Sequence, residues 1–198
     1  MPNERKVGGA AVLHEPVTAA IRDAMFDQLA ETGYARMSMD ALARRAGVGK
    51  AAVYRRWPSK QAMLIDVVSA VMRDNLPHVP DTGSLAGDVL EFLDLIVAQI
   101  ADPRVRRIVL DILVETTRTP ELEAGLRNVG AEPRRAAASE ILSRAIDRGD
   151  LRADIDRELA LDLLISPILV RLFSAADQVD DGYLARLTTA IVSGLTSL

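Results

Sequence analysis

Seven cationic side chains and a single acid lie between Arg36 and Lys60, in a stretch that also contains one Tyr and one Trp. Its main part reads SMDALARRAGVGKAAVYRRWPSK, with two short segments of helical apolar spacing on either side of a turn at Gly47. A helix is narrow enough to enter the major groove of DNA, where the residues of its first turn meet base edges. The spacing therefore predicts a helix-turn-helix that reads DNA.

The second segment carries side chains suited to DNA contact. Lys50 is placed to donate to guanine or to a phosphate, and the small Ala51 and Ala52 let the backbone approach the bases closely. One turn later, Tyr54 can donate its hydroxyl to a phosphate, and Arg55 adds positive charge. We expect this segment to be the one that enters the groove.

The flanking residues offer further contacts. Lys60 opens the next helix, where a cation combines with unpaired backbone N–H groups to make a phosphate site. Ser38 caps the preceding helix and can contact a phosphate on the opposite wall of the groove. Arg45 is either a phosphate contact or part of a solvated face. Trp57 either belongs to the apolar core only, or belongs to the core and also contacts DNA.

The distribution of charge supports this prediction. The chain of 198 residues has a net charge of −4, which by itself argues against a DNA-binding protein. Residues 1–60 nevertheless hold ten Lys and Arg against six Asp and Glu, whereas the remainder holds fourteen against twenty-two. The positive charge is thus concentrated around the predicted reading element, as expected of a nucleic-acid-binding domain.

The apolar pattern is helical nearly throughout, and no sustained alternation of period two indicates strands. We predict an all-α chain of about nine helices, divided into a lead-in at 1–15, a helix-turn-helix domain at 16–60 and a larger helical domain at 61–198. The helix-turn-helix itself spans about Met39 to Pro58. The segment LPHVPDTGS, residues 76–84, is the clearest linker. The ladder Arg107, Asp111, Glu115 and Arg118 is typical of a solvated helix face.

Two apolar stripes lie on the last two predicted helices, at helical spacing. They either close the core of one chain or pair two copies of it. The residues concerned are Leu161, Ile165, Leu169, Leu172 and Phe173 on the first helix, and Leu184, Leu187, Ile191 and Leu195 on the second.

The stretch around the predicted helix-turn-helix resembles the N-terminal domain of TetR-type (tetracycline-repressor-like) transcriptional regulators. Two positions depart from the pattern. Gly49 stands where a capping Ser or Thr is common, and Trp57 replaces the commoner Phe. The matching residues are Gly33, Tyr34, Ser38, Leu42, Ala43, Ala46, Gly47, Val48, Val53, Tyr54, Arg56, Trp57, Ser59 and Lys60.

This resemblance implies a repressor that binds a palindromic operator as a homodimer and is released by a small molecule. It places bases near Lys50 to Ala52, and phosphates near Ser38, Tyr54, Trp57 and Lys60. It also implies dimerisation through the two C-terminal helices and an effector pocket among the middle helices. The pocket residues expected on this basis are Met63, Leu64, Val67, Val68, Val71 and Phe92, whose other interpretation is plain core.

Other function classes find less support in the sequence. The chain has no cysteine, and its two histidines, His14 and His78, fall in the lead-in and the linker, so we expect no metal, no cofactor and no enzyme activity. No apolar run reaches the length of a membrane span, and a cytoplasmic protein is expected. A DNA-binding regulator or architectural protein without a ligand remains an alternative, and a helical enzyme that uses carboxylates is the least supported one.

Overall fold

The computed structural model describes residues 15–74, 78–175 and 179–198, and these residues form helices joined by short turns and loops. The lead-in expected at residues 1–15 lies almost wholly outside them. A π-helical turn, Arg127–Ala131, joins α7 to α8 without a break, so the described residues contain nine helices when this run is counted once, as predicted. The elements are α1 Glu15–Arg36, α2 Met39–Arg45, α3 Lys50–Tyr54, α4 Lys60–Asp74, α5 Leu85–Gln99, α6 Pro103–Thr116, α7 Pro120–Leu126, α8 Glu132–Arg148, α9 Arg157–Ala175 and α10 Asp181–Ser197.

The described residues divide into two compact units. The first comprises the residues up to Val67 together with Arg107–Leu122, and the second comprises Val68–Arg106 and Glu123–Leu198. The domain boundary expected at residue 60 stays a prediction. None of the described helices is both long enough and apolar enough to cross a membrane.

In the first unit, α1 bends sharply at Gly33, whose φ of +76° lies in the region that favours glycine. A Cβ at this position would lie 2.9 Å from Oδ1 of Asp111, so the contact leaves no room for a side chain. The backbone N–H of Tyr34 donates to Oδ2 of Asp111 at 2.6 Å. Asp111 is half-buried and accepts this hydrogen bond, so its interpretation as part of a solvated face was wrong.

The helix α3 is short and ends at Tyr54. After Tyr54 the chain tightens, and the N–H groups of Arg56 and Trp57 both donate to the carbonyl of Val53 at 3.0 Å. Pro58 prevents the helix from continuing through Trp57, because a proline disfavours the α conformation in the residue before it. The chain then enters α4 with Ser59 as cap, whose hydroxyl accepts from the N–H of Ala62 at 3.0 Å.

In the second unit, α5 packs against α8, α9 and α10. Its buried side chains recur at three- and four-residue spacing, which places one broad face of the helix in the core. Neighbouring helices contribute apolar faces of the same kind. The largest fully buried side chains described in this unit are Phe92, Leu93, Ile141, Leu142, Leu164 and Ile168.

One charged network lies inside this second unit. Asp88 is fully buried, and its carboxylate accepts from the backbone N–H and the hydroxyl of Thr82 at 2.7 and 2.8 Å. The guanidinium of Arg148 donates to its other oxygen at 3.0 Å. Burial alone would raise the pKa of Asp88, but the hydrogen bonds from Thr82 and the Arg148 guanidinium outweigh it and lower this pKa below 3.8. The network ties the loop before α5 to the end of α8.

We predict that Asp88→Asn lowers the free energy of unfolding by about 2 kcal/mol near neutral pH, because the amide cannot replace both acceptors. Since the folded pKa lies below the unfolded one, the contribution of Asp88 is present above the unfolded pKa and is lost as the pH falls through the folded pKa. Wild type should therefore lose stability below pH 3.8 more steeply than the variant.

Urea unfolding followed by circular dichroism at several pH values measures both effects. Asp94→Asn provides the matched control, since Asp94 lies on the same helix but is exposed. Its stability should stay within about 0.5 kcal/mol of wild type. An equal loss of stability in both variants would contradict a specific role of Asp88.

Candidate nucleic-acid interface

The two short helices α2 and α3 are held together by their apolar sides and by the turn between them. Leu42, Ala43 and Val53 are almost fully buried. Gly47 takes a φ of +66° in the turn, and its N–H donates to the carbonyl of Arg44 at 3.2 Å. The faces of α2 and α3 that carry Arg44, Arg45, Lys50 and Ala51 remain exposed. This is the helix-turn-helix that the sequence predicts.

The start of α2 is fixed from α1. The hydroxyl of Ser38 accepts from the N–H of Ala41 at 3.4 Å, which is a long capping bond. The backbone N–H of Ser38 donates to Oε1 of Gln28 at 2.9 Å, and Gln28 is buried. Gln28 thus positions α2, a role that sequence reasoning missed because its partner lies on another helix.

The N-terminus of α3 is the most open part of this surface. Gly49 is its N-cap and gives no side-chain hydrogen bond, as the departure at this position led us to expect. Lys50 and Ala51 are exposed and Ala52 is half-buried, so small side chains flank an accessible backbone. The ammonium of Lys50 pairs with the carboxylate of Asp40 in the first turn of α2.

Arg45 is also held by acids of its own unit. Its guanidinium donates to Glu31 at 2.6 Å and lies 3.7 Å from Asp27. The hydrogen bond with Glu31 contributes most to raising the pKa of Arg45. Arg44 and Arg55 are exposed, and neither forms an ion pair with a described residue. These two guanidinium groups can therefore bind a phosphate without first breaking an ion pair within the protein.

Tyr54 and Trp57 occupy opposite environments. Tyr54 is 47% exposed, so its hydroxyl is accessible to a phosphate. Trp57 is buried, and its indole N–H donates to Oδ2 of Asp66 on α4 at 3.0 Å. Of the two interpretations that the sequence left open for Trp57, this geometry favours core, because its donor is already used within the protein.

Lys60 is likewise engaged within its unit. Its ammonium donates to the carbonyls of Tyr34 and Ala35 at 3.1 and 3.2 Å and lies 4.5 Å from the centre of the Tyr34 ring. Burial, together with the charge of Glu115, raises the pKa of Tyr34. An ammonium has three N–H donors, so two are used here and one remains for a phosphate.

The residues expected to line an effector pocket are divided between the two units. Met63, Leu64 and Val67 are buried in the first unit, Val68 is half-buried, and the side chain of Val71 lies outside the described part. Phe92 lines a cavity of about 340 Å³ in the second unit, whose other walls come from α5, the π-helical turn and α8. Of the expected α4 residues whose side chains are described, Met63, Leu64, Val67 and Val68, none lines this cavity.

The residues expected at a dimer interface also separate into two groups. Leu161, Leu172, Leu184, Ile191 and Leu195 are buried within a single chain. The others are half-buried and leave apolar surface on α9 and α10, namely Ile165, Leu169, Phe173 and Leu187. Val170, which was not among the expected residues, is 65% exposed on α9. Among the described residues, no group of three His, Asp or Glu side chains could hold a metal ion.

Two family profiles match the chain. One describes the bacterial regulatory proteins of the tetR family and matches residues 21–67, and the other describes the tetracyclin repressor-like C-terminal domain and matches residues 79–191. The first match contains the whole of α2, α3 and the start of α4.

Individual relatives agree with these matches. The HTH-type transcriptional regulator YdeS of Bacillus subtilis is 32% identical over 89% of this chain and 88% of its own. The DNA-binding transcriptional repressor TetR of Mycobacteroides abscessus is 28% identical over 90% and 93%. The crystal structure of the TetR family transcription regulator SCO0332 is 29% identical, with a TM-score of 0.66 over 91% of this chain and 98% of that one. The chain therefore belongs to the TetR family of DNA-binding, helix-turn-helix transcriptional regulators, a family without enzyme activity.

Proposed function

We propose that this regulator is a ligand-responsive repressor, which binds a palindromic operator as a homodimer in the cytoplasm. The observation that carries the proposal is the exposed N-terminal face of α3. Cationic side chains surround this face, and the opposite sides of α2 and α3 are buried. A relative that spans 90% of the chain is named a DNA-binding transcriptional repressor, which supports repression rather than activation.

Within this proposal, Lys50, Ala51 and Ala52 meet the bases, because they form the exposed first turn of α3. The hydroxyls of Ser38 and Tyr54 and the cations of Arg45, Arg55 and Lys60 contact phosphates on either side. Arg44 joins them as an exposed cation on α2. Trp57 supports the site from the core through Asp66.

We expect footprinting of the purified protein on the promoter region next to its own gene to reveal a protected palindrome. Its two half-sites should be centred about one helical turn, 34–36 Å, or a multiple of that distance apart, because each half of a two-fold dimer reads one of them. A gel-shift titration repeated with a panel of metabolites should then identify a compound that releases the DNA. Failure to bind any duplex at low salt would contradict the proposal.

The pair between Lys50 and Asp40 generates a second prediction. Asp40→Asn should tighten operator binding about threefold to tenfold at low salt, because the Lys50 ammonium no longer has to leave an acid to reach the DNA. The slope of log affinity against log salt should become steeper by up to about 0.9, because the loss of the Asp40 carboxylate adds one net positive charge to the surface that meets the DNA.

Asp23→Asn is the matched control for Asp40→Asn. Asp23 lies on α1 in the same unit, is exposed, and its loss changes the net charge by the same amount. Fluorescence anisotropy with a labelled operator at four salt concentrations measures both variants. A salt slope for Asp40→Asn no steeper than that for Asp23→Asn would show that the pair does not restrain Lys50.

The dimer is argued from the apolar surface left on α9 and α10. Leu169 and its neighbours one turn away, Ile165 and Phe173, form a half-buried row on α9, and Leu187 adds to it from α10. Apolar rows of this kind are stabilised when a second copy covers them. The buried members of the same stripes complete the core of one chain.

We predict that Leu169→Glu shifts the protein from twice the chain mass to the chain mass, because a buried unpaired carboxylate opposes association. Sedimentation equilibrium across a hundredfold range of concentration measures the change. Val114→Glu is the control, since Val114 is 54% exposed on α6 in the first unit. The proposed interface would be excluded if both variants kept the oligomeric state of the wild type.

A further inference from the structure

The cavity in the second unit is lined mainly by apolar side chains. Its volume of about 340 Å³ lies within the range of small-molecule sites, which extends from about 300 to 1,000 Å³. Phe92 is its one aromatic wall residue, so it is not built to hold a flat ring between stacked aromatic side chains. The aliphatic walls include Leu95, Ile96, Val129 and Pro133.

Among the described residues, one cation lines this cavity and has no carboxylate partner. The half-buried Arg134 lines the cavity, and its guanidinium has Oε1 of Gln99 as a hydrogen-bond acceptor at 3.4 Å. No carboxylate of a described residue forms an ion pair with Arg134. Loss of water around the guanidinium lowers the pKa of Arg134. A cation in such surroundings gains stability from an anion that enters the cavity.

The other ionisable residue of the cavity wall, Glu140, already has a cationic partner. Glu140 is exposed, and its carboxylate accepts from the guanidinium of Arg144 at 3.1 Å. The neighbour of Arg134 in sequence, Arg135, pairs with Glu158 on α9 and lies 3.7 Å from Asp162. Arg134 therefore differs from the arginines around it, which have acids of their own.

The π-helical turn Arg127–Ala131 forms part of the same wall. Val129 and Gly130 line the cavity, and a Cβ added to Gly130 would meet nothing within 4 Å. Single π-helical turns inside α-helices are rare and occur frequently at functional sites. The turn also changes the helical register directly before Pro133 and Arg134, which fixes where these side chains meet the cavity.

We propose that this cavity binds a medium-length aliphatic carboxylic acid, with its carboxylate on Arg134 and its chain between α5, the π-helical turn and α8. The inference rests on the proposed function, since it names the ligand class to which the repressor responds. A bidentate guanidinium–carboxylate pair gives the acid its specificity. At about 30 Å³ for each water-sized group, the cavity takes a chain of about ten heavy atoms, which corresponds to octanoate.

Isothermal titration calorimetry of the full-length protein without DNA tests the proposal with octanoate and the neutral 1-octanol as probes. Wild type should bind octanoate at least about tenfold more tightly than octanol, since the charge-assisted pair is available to the acid alone. Arg134→Met should remove this preference and leave octanol binding nearly unchanged. Arg134→Lys should retain part of the preference.

Arg127→Met is the matched control, because Arg127 lies in the π-helical turn just before α8 but is exposed and pairs with Glu123 at 3.3 Å. It should bind both probes as wild type does. Equal affinity of wild type for octanoate and octanol would overturn the proposal, and so would an equal loss of octanoate binding in Arg127→Met and Arg134→Met. The comparison of the two probes on wild type decides the matter even if Arg134→Met does not fold.

A gel shift with octanoate separates this inference from the proposed function. Binding of octanoate that depends on Arg134 but does not release the operator would uphold the site and count against ligand-responsive repression. Release of the operator by a neutral metabolite, without any preference of wild type for octanoate, would uphold the repressor and overturn the acid-binding site.

Discussion

The first unit depends on the contacts that hold the bend at Gly33, near the end of α1. The N–H of Tyr34 donates to the carboxylate of Asp111 on α6, and its carbonyl accepts from the ammonium of Lys60 at the start of α4. Gly33 makes the bend possible, and the space taken by Asp111 excludes a side chain there. One residue thus connects three segments that are far apart in sequence. The helix-turn-helix lies between two of them, so its position follows from this contact.

The surface that we propose faces DNA balances part of its charge within the free protein. Lys50 and Arg45 are paired with acids of α1 and α2, whereas Arg44 and Arg55 are exposed without such pairs. Paired cations contribute to DNA binding only after they exchange a carboxylate for a phosphate, and this exchange reduces their net gain. The surface is therefore less attractive to DNA in general than its count of cations implies. Contacts that depend on a matching base sequence gain relative weight.

Two arginines on α8 show how different partners change the role of a charge in the second unit. Arg148 completes a network in which the buried carboxylate of Asp88 has donors on both oxygens. Such a satisfied group fixes the loop before α5 against α8. Arg134 faces an apolar cavity and has an amide oxygen as its acceptor. The first arginine stabilises the fold, and the second is suited to a ligand, because its charge is not yet balanced.

The sequence by itself determined the helical class and the location of the helix-turn-helix. These features depend on local physics: the 3.6-residue apolar period, the capping by Ser38 and the turn at Gly47. The stretch from Ser38 to Lys60 also carries enough of the family pattern to identify the family on residues alone.

The tertiary structure decided which partner each polar group has and which apolar residues remain at the surface. Asp111 lies 77 positions from Tyr34 and Trp57 donates to Asp66 on another helix, and no local spacing encodes either contact. The stripes on α9 and α10 separated into core and surface only when their neighbours were in place. The cavity beside Arg134 likewise exists only because three helical segments converge on it. Helical periodicity is a property of a short segment, whereas burial and pairing depend on residues that the chain brings together from a distance.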